Sequence, residues 1–190
     1  EHSVQQLKTR SQDNLTEINA NVNTSDVLPS LNLMYAVKEN VNMKVAFSQT
    51  VARPEFRELA AFSFYDFTTN QLVFGNPNLK RTSVTNYDWR VEFFPHLGEI
   101  LSATLFYKSF ENAIEEVNIN SSSNNLVTFA NASSAKNYGI EIEVRKSFAF
   151  IDLSLHNFSI GGNYSRIFSE VEIPKGQGQL AETRPLQGQS

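Results

Sequence analysis

The chain has 190 residues, 41% hydrophobic and 19% charged, with a net charge of −4 and no cysteine. That balance suits a folded domain. It offers no Lys/Arg block able to neutralise a row of phosphates, which argues against nucleic acid as a partner. Without cysteine there are no disulfides, thiolate metal sites or Cys-based catalysis, and no stretch approaches the roughly 18 consecutive apolar residues of a membrane helix.

In chain order, Glu1 to Asn23 is polar, and residues 1–26 are expected to be a flank in an extracellular loop. From Leu31 the residues alternate: Leu31, Leu33, Tyr35 and Val37 share one face, and Asn32, Met34 and Ala36 the other, which is the period of a strand. After Lys38-Glu39-Asn40 the alternation resumes with Val41, Met43, Val45 and Phe47 against Asn42, Lys44, Ala46 and Ser48, so a hairpin with a short turn is expected.

Residues 52–82 lose the period and are expected to be a long loop, carrying Phe62, Phe64, Tyr65 and Phe67 with Arg53, Arg57 and Lys80 nearby. In Gly75-Asn76-Pro77-Asn78-Leu79-Lys80 the Gly and Asn residues are expected to supply positive φ and the Pro a fixed φ for successive turns. Thr85, Tyr87, Trp89, Val91 and Phe93 then alternate with Asn86, Asp88, Arg90 and Glu92, an apolar face against a charged one. Pro95-His96-Leu97-Gly98 turns the chain into Leu101, Ala103, Leu105 and Tyr107, which alternate with Ser102, Thr104, Phe106 and Lys108.

Residues 111–134 form a second long loop, Asn/Ser-rich, with two β-prone pieces at 114–119 and 126–129 that suggest a small hairpin. Tyr138, Ile140, Ile142 and Val144 oppose Gly139, Glu141, Glu143 and Arg145 in the next strand. An irregular apolar connection over 147–156, with room for one helical turn, leads to Phe158, Ile160, Gly162 and Tyr164 opposite Ser159, Gly161, Asn163 and Ser165. Gly161-Gly162 falls inside a strand pattern, so a bend or bulge is expected there rather than a phosphate loop. Residues 172–190 are expected to be a truncated loop, and both polar ends read as cuts within a longer protein.

The expected fold is therefore all-β: an antiparallel up-and-down meander of about six strands over 27–171, part of a larger transmembrane β-barrel. Turns on one side are short and loops on the other long, an asymmetry of outer-membrane barrels rather than of soluble sandwiches. In hydrocarbon every backbone polar group must pair within the protein, so strands can cross only as a closed sheet. The apolar stripes would face lipid, with tyrosines near the headgroup boundary and Trp89 lying deeper. Asp88, Arg90, Glu92, Glu141, Glu143 and Arg145 would face the lumen, pairing across strands or holding water.

Val51-Ala52-Arg53-Pro54-Glu55-Phe56-Arg57, Phe64-Tyr65-Asp66-Phe67, the Gly75 to Lys80 run, Asn86-Tyr87-Asp88-Trp89-Arg90, Phe106-Tyr107-Lys108-Ser109-Phe110, Asn137-Tyr138-Gly139-Ile140-Glu141 and Gly161-Gly162-Asn163-Tyr164-Ser165 come in an order that resembles the barrel of TonB-dependent receptors of the Bacteroidetes type. The resemblance spans residues 26–171. It implies an outer-membrane receptor of about 22 strands with a plug domain, importing a scarce nutrient such as a metal chelate or a glycan piece. Its implied partners are the lipid bilayer, the rest of the barrel and plug, and the TonB complex acting through the plug. A six-strand piece with open edges cannot close around a plug, so this chain is not expected to transport by itself.

No cofactor and no enzyme chemistry are implied. His2, His96 and His156 lack metal-ligand spacing, and no Gly-x-Ser-x-Gly elbow accompanies the many serines. Carboxylate pairs such as Glu115-Glu116 and Glu141/Glu143 are better read as structural charges than as a glycosidase pair. The Asn-x-Ser/Thr sites at Asn14, Asn23, Asn120, Asn131, Asn157 and Asn163 are products of an Asn/Ser-rich chain. For ligand binding the strongest candidate is the aromatic loop with Arg53, Arg57 and Lys80, since rings can stack on sugars or apolar groups and guanidinium groups can grip carboxylates. The rival fold is a soluble β-sandwich module that binds a ligand such as carbohydrate, which requires Tyr87, Trp89 and Leu105 to lie beneath a second layer. A second rival, a secreted β-hydrolase, requires an acidic or Ser/His cluster in a cleft.

Overall fold

The structure, a computed structural model, describes residues 2–10, 17–121, 124–173 and 182–186. The elements in chain order are β1 (His2–Arg10), β2 (Glu17–Ser25), β3 (Ser30–Lys38), β4 (Val41–Ala52), the one-turn helix α1 (Phe56–Leu59), β5 (Ser63–Asp66), β6 (Gln71–Phe74), β7 (Thr82–Phe93), β8 (Ile100–Glu111), β9 (Ile114–Ser121), β10 (Asn124–Asn131), β11 (Ser134–Ser147), two 3-10 turns at Phe148–Phe150 and Leu153–Leu155, β12 (Ser159–Ile173) and β13 (Glu182–Arg184). No described helix is long and apolar enough to cross a membrane.

Among the described residues, seven strands make one antiparallel sheet in the order β13-β12-β11-β8-β7-β4-β3. Apart from the short β13, these are the six strands expected from alternation. Their register aligns side chains into rows that cross the sheet. One row runs Leu31, Phe47, Tyr87, Tyr107, Tyr138, Phe168, and the next Leu33, Val45, Trp89, Leu105, Ile140, Arg166. Because the side-chain period of a strand is two, this register puts every apolar stripe on one face.

Exposure on the two faces is the reverse of that in a water-soluble sheet. Tyr87, Trp89 and Leu105 are 50%, 43% and 44% exposed, whereas Glu92, Ser102 and Thr104 on the opposite face are buried. No second layer covers the apolar face among the described residues, so the sandwich expectation fails. A sheet that crowds its polar face and bares its aromatic one is curved around the polar side. Its outer face needs an apolar solvent.

Beyond the ends of these strands, the two long loops are not irregular. They combine into a four-stranded sheet, β5-β6-β10-β9, in which β6 and β10 pair in parallel through Leu72–Leu126, Val73–Val127 and Phe74–Thr128. The β9–β10 hairpin was expected. The strands β5 and β6 were not, since four residues each show too little period to stand out. Leu59 and Leu79 form a small core with Leu7, Ile114 and Phe129 around it, and Ala113, Val117, Ala132, Ala135, Val171 and Ile173 form another. Within the expected loop flank, residues 2–10 and 17–25 pair as an antiparallel hairpin, and Gln5 Nε2 donates to Pro54 O at 3.1 Å.

Glycine roles differ from expectation in two places. Among the described residues positive φ occurs at Asn70, Asn112 and Gly98, not within Gly75–Lys80. Gly75 is required instead by close approach, since a Cβ there would lie 2.1 Å from Ala60 O. The pairing of Gly161 with Arg145 and of Gly162 with Val144 is regular, so there is no bulge at this pair. Of the predicted tail, residues 174–181 and 187–190 lie outside the described residues.

Candidate functional site

Two groups of side chains stand out, one on the polar face of the sheet and one on the loop sheet. On the polar face, cross-strand pairing sets Lys44 opposite Arg90 and Glu92 opposite Ser102. The two like charges are held by one carboxylate: Lys44 Nζ and Arg90 Nε each lie 2.8 Å from Glu92 Oε1. Arg90 reaches across β8, donating from Nη1 to Thr104 Oγ1 at 3.1 Å and from Nη2 to Glu143 Oε2 at 2.8 Å. A planar guanidinium with several fixed donors can bridge three strands in this way; an ammonium cannot.

Asp88 and Glu141 border a recess on this face with Asn32, Lys44, Arg90 and Thr104. Arg145 stays exposed toward the short-turn end. Of the six charges expected to line this face, three therefore join one network, and Lys44 and Thr104 complete it. Their alternation parity was the available signal for both.

The aromatic loop separates into parts. Arg57 lies over the Phe64 ring at 5.2 Å. Tyr65 and Phe67 meet edge to face at 5.0 Å, and the Tyr65 hydroxyl bonds Asn70 Oδ1. Asp66 closes the β5–β6 turn by accepting from Thr68 N (2.8 Å), Thr68 Oγ1 (2.7 Å) and Thr69 Oγ1 (3.0 Å), and these hydrogen bonds hold its carboxyl below the ordinary aspartate range. Phe62 and Tyr65 are exposed, and Phe67 is 88% exposed at the tip. In α1, Glu58 accepts from Glu55 N at 2.8 Å, while burial pushes its carboxyl above the ordinary range.

Arg53 and Lys80 do not join the rings. Arg53 pairs with buried Asp26 at 3.9 Å, beside Arg81, which binds the same carboxylate. Lys80 belongs to a staple between the two long loops: its N–H donates to Asn131 Oδ1 at 2.8 Å and its carbonyl accepts from Asn131 Nδ2 at 2.9 Å. Asn76 Nδ2 adds a bond to Phe129 O at 2.9 Å. The expected six-residue turn segment thus works as a clamp. Asn131, read as a chance glycosylation site, is one of its jaws.

Among the described residues no group of three His, Asp or Glu could hold a metal ion. Glu115 is paired with Arg184 at 3.0 Å and Glu143 with Arg90, so neither expected carboxylate pair stands as a free acid–base couple. The side chain of His2 and all of Asn14 lie outside the described residues.

The inverted exposure and the row of aromatic side chains across the sheet agree with the family comparison. The profile described as TonB dependent receptor-like, beta-barrel matches residues 3–189. The chain belongs to this family. It is a portion of an outer-membrane barrel wall, located in the bacterial outer membrane. Similar solved structures include the siderophore receptor PirA from Pseudomonas aeruginosa, 15% identical with a TM-score of 0.58, the match covering 85% of this chain and 33% of that one. A variant of the ferric enterobactin receptor PfeA from Pseudomonas aeruginosa in complex with enterobactin is 18% identical with a TM-score of 0.58, covering 83% and 27%. PirA from Acinetobacter baumannii is 14% identical with a TM-score of 0.54, covering 83% and 28%. At these identities the likeness is one of fold. The match covers about a third or less of each of these receptors. No curated protein matches the chain.

Proposed function

We propose that the receptor containing this wall segment captures a scarce nutrient, a metal chelate or a glycan piece, and imports it with energy delivered by the TonB complex through a plug domain. The observation that carries this reading is the inside-out wall: an apolar outer face, a bonded polar inner face, and long loops gathered at one end. The chain contributes wall and mouth, and transport needs the rest of the barrel and the plug. The Bacteroidetes subtype belongs to this proposal.

Ligand contact falls to the exposed rings Phe62, Tyr65 and Phe67, with Phe64 and Arg57 behind them. Rings held by a hydrogen-bonded turn lose little entropy when they stack on a flat ligand face. Arg53 and Lys80 hold the loops in place behind this surface. The inner charges Asp88, Arg90, Glu92, Glu141, Glu143 and Arg145 line the wall of the lumen. The test is growth and binding with a panel of ferric chelates and oligosaccharides, comparing the receptor with a Phe62→Ala, Tyr65→Ala, Phe67→Ala variant of equal surface abundance. At least tenfold weaker binding of one panel member is expected. Unchanged binding of every member that the parent takes up would refute the loop assignment.

A further inference from the structure

On the short-turn side, the turn at Lys38-Glu39-Asn40 is polar, as a turn in water should be. The connection between β11 and β12 is not. Phe150, Ile151 and Leu153 are 64%, 64% and 81% exposed, continuing into exposed Phe158 and Ile160.

Its backbone is closed on itself. Phe148 N–H donates to Phe158 O (2.8 Å), Ile151 N–H to Phe148 O (2.9 Å), Leu155 N–H to Asp152 O (3.0 Å) and Phe158 N–H to Leu155 O (2.9 Å). Three polar side chains are turned onto the backbone as well: Ser147 Oγ accepts from Ala149 N at 3.2 Å, Asp152 Oδ1 accepts from Ser154 N at 2.8 Å, and His156 Nδ1 lies 3.0 Å from Leu153 O, while Ser154 and Asn157 are exposed. A row of exposed apolar side chains, Phe150, Ile151, Leu153 and Phe158, over a largely self-bonded backbone suits chain that turns one side to hydrocarbon, with Asp152, Ser154, His156 and Asn157 left for the headgroup side.

The side of the sheet is set by Lys146. It follows Tyr138, Ile140, Ile142 and Val144 on the outward face, and its Nζ lies over the Phe150 ring at 5.7 Å. Phe150 therefore sits on the lipid-facing side. Lys146 is itself neutralised by Glu99 at 2.7 Å, a carboxylate almost sealed from solvent.

Height points the same way. Between Tyr138 and Val144 the outward apolar stripe runs about 20 Å along the strand, or about 15 Å of height at a tilt of about 40°, against an apolar band of about 25 Å. The apolar stripe of β11 falls short of that band by about 10 Å, on the side where this connection lies.

We propose that the Phe148–Phe158 connection is seated in the periplasmic leaflet, its rings among the lipid acyl chains, and completes the lower part of the apolar band. This rests on the membrane-wall reading. The test places a nitroxide at Phe150→Cys, Leu153→Cys, Leu105→Cys or Phe67→Cys in the full-length receptor in lipid vesicles, and compares collision with oxygen and with a water-soluble nickel chelate. Labels at 150 and 153 should favour oxygen as the label at 105 does, while the label at 67 favours the chelate. A chelate preference at 150 and 153, or access to neither reagent as when the plug or a periplasmic protein covers them, overturns the inference. If the label at 105 also favours the chelate, the wall reading itself has failed.

Discussion

The wall and the loop sheet above it are built by opposite rules. In the loop sheet and the turns beside it Leu59, Leu79, Val73 and Val127 are buried, as in a domain in water, and the large exposed rings gather at Phe62, Tyr65 and Phe67. In the wall, Trp89 and Leu105 are bare while Glu92, Ser102 and Thr104 are enclosed. The change takes place across one row of the sheet. Phe47, Tyr87, Tyr107, Tyr138 and Phe168 end the apolar band, and the next outward row reads Gln49, Thr85, Ser109, Lys136, Glu170. Burial thus reports what each part is dissolved in: a side chain faces the medium that solvates it, and the medium changes at the tyrosines.

The sharpest way to break this comparison is a matched pair of glycines. A Cβ at Gly139 would meet Arg166 O at 2.4 Å and the Phe106 ring at 2.9 Å, inside the wall. Gly139→Val should cost on the order of 4 kcal/mol and block assembly, read as loss of heat-modifiable migration. Gly75→Val, which would collide with Ala60, should leave the wall assembled but make the loops sensitive to protease. Equal loss of assembly in both would show that wall and loops are not separable.

Next in size is the contrast of faces. Leu105→Arg should destabilise the receptor in vesicles by roughly 2–4 kcal/mol if it lies near mid-bilayer, while Asp88→Asn on the polar face should cost far less. Equal tolerance in denaturant titrations would contradict the assignment of lipid and lumen sides.

Within the polar face, Arg90→Leu leaves Glu92 and Glu143 without their shared cation and should cost about 1–3 kcal/mol, read by the same titration. Arg90→Lys should recover only part, since an ammonium cannot reach Glu92, Thr104 and Glu143 together.

The smallest effect distinguishes the two regions by pH. Asp66 has a lowered carboxyl, so its turn bonds stabilise the tip above the unfolded aspartate range and are lost as pH falls through the lower folded value. Protection of the Thr68 amide should fade on acidification and be insensitive to that change in Asp66→Asn. The wall strands should keep their protection over the same range.

The wall was legible because its period is strict: one face of β7 is Thr85, Tyr87, Trp89, Val91, Phe93, and no tertiary information is needed to see it. The charged set followed by parity. What stayed hidden depends on contacts distant in sequence. The strands β5 and β6 gain their order from β10, some fifty residues on, and the jaws of the clamp, Lys80 and Asn131, are separated likewise. Gly75 looked like a turn residue, yet its need is for space beside Ala60, which no local pattern reveals. The split of Arg53 from the aromatic loop has the same origin, because its partner Asp26 lies beyond two strands.

Trp89 is the only tryptophan in the chain and stands in the outward apolar row beside Leu105. In a full-length receptor whose tryptophans outside this chain are replaced by phenylalanine, so that Trp89 is the reporter, fluorescence quenching by brominated phospholipids should be strong and quenching by iodide weak. Strong iodide quenching with no effect of bromolipid would place that row in water or against protein, and would contradict the claim that acyl chains solvate the wall.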